Sequence, residues 1–189
     1  VSAIPLPGSL ESERLVLRPW HPGDAEALRE ALAESVQHLR PWIPWATPEA
    51  PTPEETESLL AGWIAQREAG ENFIYAVFDR ETGRLVGGIG LYARIGPDAL
   101  EVGYWIRRSD AGRGLATEAT HALTHAGFGV PGISRLEIHT DPRNLASRRV
   151  PEKLGYELTA LREGVYRTPD GERRDTAIYE LGRSTTAGT

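Results

Sequence analysis

Apolar positions recur along this chain with two periods, and the alternation between them outlines the elements. Arg14 to Arg18 alternates as a strand, and His21-Pro22-Gly23 ends it. Asp24 is placed to cap a helix whose apolar face is Ala25, Leu28, Leu32 and Val36. Leu39-Arg40-Pro41-Trp42-Ile43-Pro44-Trp45 follows; its prolines forbid a regular helix and its tryptophans resist exposure to water. Thr52-Pro53-Glu54-Glu55 forms a capping box with proline at the first helical position, opening a helix that carries Leu59, Leu60, Trp63 and Ile64.

The second half alternates strands with helices. Phe73–Asp79 and Leu85–Tyr92 read as paired strands around the turn Glu81-Thr82-Gly83, and Leu100–Ile106 as a fourth strand. Gly114–Phe128 is a helix with Leu115, Ala119, Ala122, Leu123 and Ala126 on one face. Arg135–Thr140 is a fifth strand and Asn144–Leu154 a short helix. Tyr156–Leu161 and Asp175–Leu181 are closing strands joined through Pro169-Asp170-Gly171. The order β-α-α-β-β-β-α-β-α-β-β predicts an α/β fold: one mixed sheet with helices on both faces. A single domain over 1–189 is expected, its core at about 13–182, with flexible tails at 1–10 and 183–189.

Composition narrows the options. The chain has 189 residues, 40% hydrophobic and 25% charged, ordinary for a globular domain able to bury a core without staples. There is no cysteine, so disulfides, thiolate metal sites and a cysteinyl acyl-enzyme are excluded. No apolar run approaches the roughly 18 residues of a membrane helix, and Val1 to Leu10 shows no secretory pattern, so a cytoplasmic location is expected. The net charge of −6 argues against direct nucleic-acid binding.

Chemistry concentrates between Ile106 and Thr117. A buried strand ends, Gly112 and Gly114 follow, and an amphipathic helix begins. Glycines permit close backbone approach, and the free N–H groups of a helix start attract anions. The segment reads either as a pyrophosphate site, with Arg107, Arg108 and Arg113 adding charge, or as an ordinary glycine turn. A nucleotide-triphosphate loop and a dinucleotide fingerprint are both unsupported, because Gly-Lys-Ser/Thr and a complete Gly-x-Gly-x-x-Gly are missing.

Four stretches in order resemble the GNAT acetyltransferase superfamily, in its RimJ/RimL-type branch: Arg14-Leu-Val-Leu-Arg-Pro19, Glu101-Val-Gly-Tyr-Trp-Ile106, Gly112-Arg-Gly-Leu-Ala-Thr-Glu-Ala119, and Asn144 to Val150 with Glu152-Lys-Leu-Gly-Tyr156. The resemblance spans roughly Glu13 to Leu181. It implies a sheet splayed between the fourth and fifth strands and acetyl-CoA as acyl donor, with no metal. The pyrophosphate would lie on Gly112, Arg113, Gly114, Leu115, Ala116 and Thr117, and the pantetheine arm along Trp105, Ile106 and Arg107, with Asn144 as a further contact. The acceptor would be a protein or peptide N-terminus, or a small amine such as an antibiotic or polyamine. Another acyl group, for example succinyl, and a CoA-binding scaffold with a decayed site are the other readings. The resemblance leaves a homodimer open.

Amine acylation benefits from a base and from an acid for the departing thiolate. Glu101, a carboxylate inside a strand, is the candidate base, in competition with bulk water. Ser147 stands where the resemblance implies a donor near the thioester sulfur. Trp42, Pro44 and Trp45 stand where the family builds one wall of the acceptor site; the plainer reading is a loop tucking tryptophans into the core. Tyr104, Tyr156 and Tyr179 read as packing residues. His121 and His125 read as a solvated helix face, and His139 as a minor candidate near the acceptor. Two departures stand out. Ala111 occupies a position that usually carries Gln or Arg. Pro151 falls inside the last short helix, where it removes the N–H aimed at Ser147 and predicts a kink or an early end.

Overall fold

The computed structural model describes residues 6–43, 45–46, 49–168 and 171–183. In chain order the elements are β1 (Leu10–Glu11), β2 (Leu15–Pro19), α1 (Ala25–Leu39), α2 (Pro53–Glu68), β3 (Asn72–Asp79), β4 (Leu85–Tyr92), β5 (Ala99–Ile106), α3 (Leu115–Gly129), β6 (Arg135–Thr140), α4 (Leu145–Lys153), β7 (Glu157–Arg167) and β8 (Arg173–Gly182). This is the expected order with one addition at the start. Leu10–Glu11 pairs with Val16 and Leu17, and Leu6 and Leu10 pack on the core. Apolar Leu6 and Leu10 have a partner surface there, which outweighs the cost of ordering a terminus. Pro169 and Asp170 of the expected closing turn lie outside the described residues.

Among the described residues the strands form one eight-stranded sheet in the order β1-β2-β3-β4-β5-β6-β8-β7. Every pairing is antiparallel except β5 with β6. Two cores flank the sheet. On one face α3 packs Leu115, Ala119 and Leu123 against Leu17, Tyr75, Leu91, Val102 and Leu136. On the other, α1 and α2 pack Leu28, Leu32, Leu60 and Trp63 against Ile74, Ala76 and Trp105. Period-2 alternation lets one strand feed both: Leu100 and Val102 face α3, while Trp105 faces α1 and α2. A Cβ at Gly88 would stand 2.6 Å from the Trp105 indole nitrogen, so glycine there makes room for the ring.

Local signals hold with two corrections. The Thr52–Glu55 capping box forms in both directions, at 3.2 and 2.8 Å. Asp24 precedes α1 but its carboxylate makes no cap bond to that helix. It takes Arg18 bidentately at 2.7 and 2.8 Å and accepts from the His21 amide, because a buried carboxylate gains more from a guanidinium than from one helix amide. Pro151 does not end α4, which runs on to Lys153. It sits in the last turn, where a single i→i−4 bond is lost, and another residue supplies the missing donor.

Candidate active site

The β5–β6 pairing covers only Ala99↔Arg135, Leu100↔Leu136 and Glu101↔Glu137. Beyond Glu101 the two strands part, and the wedge between them opens into a cleft of about 900 Å³. It is lined by Glu101 to Ile106 on one side, His139 to Asp141 on the other, the 111–117 loop and helix start at one boundary, and Trp42 and Ile43 at another. The hydrogen-bonding edge of β5 past Glu101 therefore faces open space.

That edge has a definite polarity. The Arg107 amide donates to Val86 on β4 at 2.8 Å. Backbone direction alternates along a strand, so Trp105 also turns its polar groups to β4, while Tyr104 and Ile106 turn theirs to the cleft. Of Trp105, Ile106 and Arg107, only Ile106 presents its backbone to the open side, and the Trp105 ring is buried on the opposite face.

The glycine loop has the geometry of an anion cradle. Gly112 and Gly114 both adopt φ near +80°, a conformation that favours glycine. Among the described residues, the N–H groups of Gly112, Arg113 and Gly114 make no intramolecular hydrogen bond, and those of Leu115, Ala116 and Thr117 are the orphan donors of the first turn of α3. Two of the three neighbouring arginines, Arg107 and Arg113, are engaged elsewhere. Arg113 and Arg84 both grip Asp110, whose side chain is wholly buried, at 2.6 Å. Arg107 pairs with Glu34 at 2.7 Å. The Glu34 carboxylate also accepts from the Ser109 amide at 2.8 Å, and the Ser109 and Arg107 hydrogen bonds hold its pKa down to about 2. Arg14, just before β2, reaches across to the Arg113 carbonyl and pairs with Glu118. These carboxylates brace the loop from behind and leave its amides forward. Arg149 and Lys153, one turn apart on α4, line the cleft and make no ion pair among the described residues; their i, i+4 spacing was the signal available for finding them.

Glu101 stands at the fork and is 7% exposed. Both its oxygens accept from Arg94, at 2.6 and 2.8 Å, and the Arg94 guanidinium lies 4.7 Å from the Tyr92 ring centroid. His139 Nδ1 lies 3.7 Å from Glu101, while Nε2 contacts Glu137 at 2.7 Å. Burial by itself would lift the Glu137 carboxyl; His139 and Arg135 outweigh it and hold the group below the usual range. Arg94 and His139 thus belong to the site. The register Tyr92↔Glu101 places Arg94 near the fork, but only the folded hairpin reveals it.

Ser147 lies in the first turn of α4. Its amide donates to the Asn144 side chain at 3.1 Å, so Asn144 is a true cap. Tyr104 reaches Ser147 from β5: its hydroxyl donates to the Ser147 carbonyl at 2.9 Å and lies 3.2 Å from Ser147 Oγ. Burial pushes the Tyr104 hydroxyl above its ordinary pKa, so it keeps its proton. Tyr104 is therefore more than packing. Tyr156 and Tyr179 are core residues with bonded hydroxyls, to Thr124 and to Arg148 and Glu152. His121 and His125 lie on the exposed face of α3.

The tryptophans separate. Trp42 lines the cleft, with the Arg174 guanidinium 5.7 Å from its ring centroid. Trp45 packs edge-on against Trp63 and Trp105, at 5.6 and 6.3 Å, and does not line that cleft. Pro44 lies outside the described residues.

A splayed sheet with a run of unpaired loop amides, an open strand edge and a buried carboxylate is an arrangement able to hold a nucleotide-linked thioester. Comparisons with known proteins agree. A family model described as an acetyltransferase (GNAT) domain matches residues 14–157. The putative ribosomal N-acetyltransferase YdaF of Bacillus subtilis (strain 168) is 32% identical over 90% of this chain and 92% of its own length. The ribosomal protein uS5 alanine N-acetyltransferase of Escherichia coli (strain K12) is 27% identical over 91% of this chain and 89% of its own. The structure of RimL, a ribosomal L7/L12 alpha-N-protein acetyltransferase solved with coenzyme A, matches the fold with a TM-score of 0.82 at 24% identity, over 92% of this chain and 97% of its own. The chain belongs to the GNAT acetyltransferase family, in its RimJ/RimL-type branch. It is an acyl-CoA-dependent N-acetyltransferase, with acetyl-CoA as the donor.

Proposed function

We propose that this chain acetylates the α-amino group of a protein or peptide N-terminus by direct attack in a ternary complex. The observation that supports this reading is the continuity of the cleft. One cleft is lined by the 111–117 loop and helix start, by Tyr104 and Ile106, by Glu101 at the fork and by Trp42. The relatives named for ribosomal-protein N-acetylation point to the same acceptor class.

In this reading the loop amides hold the pyrophosphate, with Arg149 and Lys153 as the available cations. The pantetheine arm adds to the open edge of β5 as a short strand would. A protein α-amino group has a pKa of about 7.7–8.0, so a useful fraction is neutral near neutral pH. Its nitrogen attacks the thioester carbonyl, Glu101 or a water takes the proton it sheds, and the C–S bond breaks. Ser147 Oγ–H donates toward the departing thiolate. An acceptor panel tests the assignment: acetyl-CoA turnover, followed by thiol release, on N-terminal peptides, aminoglycosides and polyamines. Turnover on peptides is expected. Turnover confined to the small amines would replace this reading with a small-molecule acetyltransferase, and CoA binding without turnover on any amine with a scaffold.

A further inference from the structure

We infer that Tyr104 is a positioning residue for Ser147, standing in for the backbone hydrogen bond that Pro151 removes from α4. This deepens the proposed function and rests on its reading of Ser147 as the donor to the thiolate.

In an uninterrupted helix the amide of residue 151 would donate to the carbonyl of residue 147. Proline has no N–H, so the Ser147 carbonyl loses that partner. It faces a half-buried wall of the cleft, where an unmet acceptor is costly. The Tyr104 hydroxyl arrives from β5, 43 residues away in sequence, and donates to it at 2.9 Å. The carbonyl thus keeps a donor, and α4 continues to Lys153.

A phenol has one hydrogen. Once that hydrogen is committed to the carbonyl, the Tyr104 oxygen can only accept from Ser147 Oγ, 3.2 Å away. The serine hydrogen is thus left free of the carbonyl, able to rest on Tyr104 or to turn to a sulfur in the cleft. Asn144, capping the Ser147 amide at 3.1 Å, fixes the same residue from the other side. Ser147 is thus held at its amide, its carbonyl and its hydroxyl, on a helix that a proline would otherwise loosen.

A double-mutant cycle on the full chain tests this: Y104F, P151A and the pair, read for kcat and KM with acetyl-CoA and a peptide amine, and for melting temperature. S147A is the control on the underlying reading. Y104F is expected to lower kcat about tenfold, with KM for acetyl-CoA within about twofold, as for a half-buried acceptor left unmet. Adding P151A restores an amide at 151 and should recover at least about threefold of that loss, with the same non-additivity in melting temperature. Equal losses from Y104F with either residue at 151, in both readouts, overturn the inference. If Y104F is insoluble and P151A restores solubility, the inference is supported; if both stay insoluble, it is overturned. If S147A turns over at the parent rate, the reading of Ser147 as donor fails, and the melting-temperature cycle still decides whether Tyr104 carries the bond.

Discussion

Both oxygens of Glu101 accept from Arg94, at 2.6 and 2.8 Å, at the point where β5 and β6 part. Each carboxylate oxygen has a second lone pair, so the pair orients Glu101 without closing it to an amine or a water. Glu101→Gln should lower kcat/KM for the peptide by about 10²–10⁴-fold, the usual worth of a positioned base. The KM for acetyl-CoA should change little. An unchanged pH–rate profile in this variant would remove Glu101 as the base and leave the proton to water. Arg94→Ala should weaken turnover through orientation, again without a change in acetyl-CoA affinity.

The loop glycines make a second test. Gly114 has φ +79°, and a Cβ there would meet only the end of Arg14 at 3.7 Å. The cost of Gly114→Ala is therefore conformational, about 1–2 kcal/mol. If the chain relieves it by rotating the loop amides, calorimetry should show CoA binding weakened more than melting temperature suggests. Full retention of CoA affinity would mean that these amides do not hold the pyrophosphate.

Acid should unlatch the loop from α1. The Glu34 carboxyl sits at about 2 in the folded chain, against about 4.3 when unfolded. A depressed folded value contributes stability that is complete above the unfolded pKa and is lost as pH falls from about 4 toward 2. The melting-temperature difference between the parent and Glu34→Gln should thus be constant above about pH 5 and close at lower pH. A difference independent of pH would show that the Glu34 contacts with Arg107 and Ser109 do not depend on its charge.

Asp110 is a buried anion between two half-exposed arginines. Asp110→Asn should cost about 1.5–3 kcal/mol, the range for hydrogen bonds to charged groups, because Arg84 and Arg113 can rehydrate. Denaturant melts should report that loss, together with a raised KM for acetyl-CoA as the loop loses its brace. A loss of stability with cofactor affinity intact would make Asp110 a purely architectural residue.

The two loop tryptophans should behave differently. Trp42→Ala should weaken peptide binding by about 1–2 kcal/mol, as expected for an aromatic anchor in a contact surface. Trp45→Ala should instead lower the melting temperature by removing two edge-on ring pairs, each worth about 0.5–1.5 kcal/mol. Peptide KM distinguishes them; equal effects from both would place Trp45 at the acceptor as well.

Much of this was legible in the sequence. Element order, the capping box at Thr52 and the Asn144 cap follow from local rules that act over a few residues, and so does the glycine loop at the start of α3. Period-2 alternation put Leu100 and Val102 on one face of the strand and Trp105 on the other. Glu101 stood out because a carboxylate within an apolar strand needs a reason to be there.

The tertiary structure decided the rest, because those contacts join residues far apart in the chain. Arg107 and Arg113 look like phosphate ligands in sequence, and folding turns them to Glu34 and Asp110. Tyr104 looks like packing, and folding brings its hydroxyl to a carbonyl that Pro151 left without a donor. Helix caps and strand faces are set by backbone geometry over a turn or two. Which donor meets which buried acceptor is set by how elements distant in the chain pack together, and no local pattern encodes that.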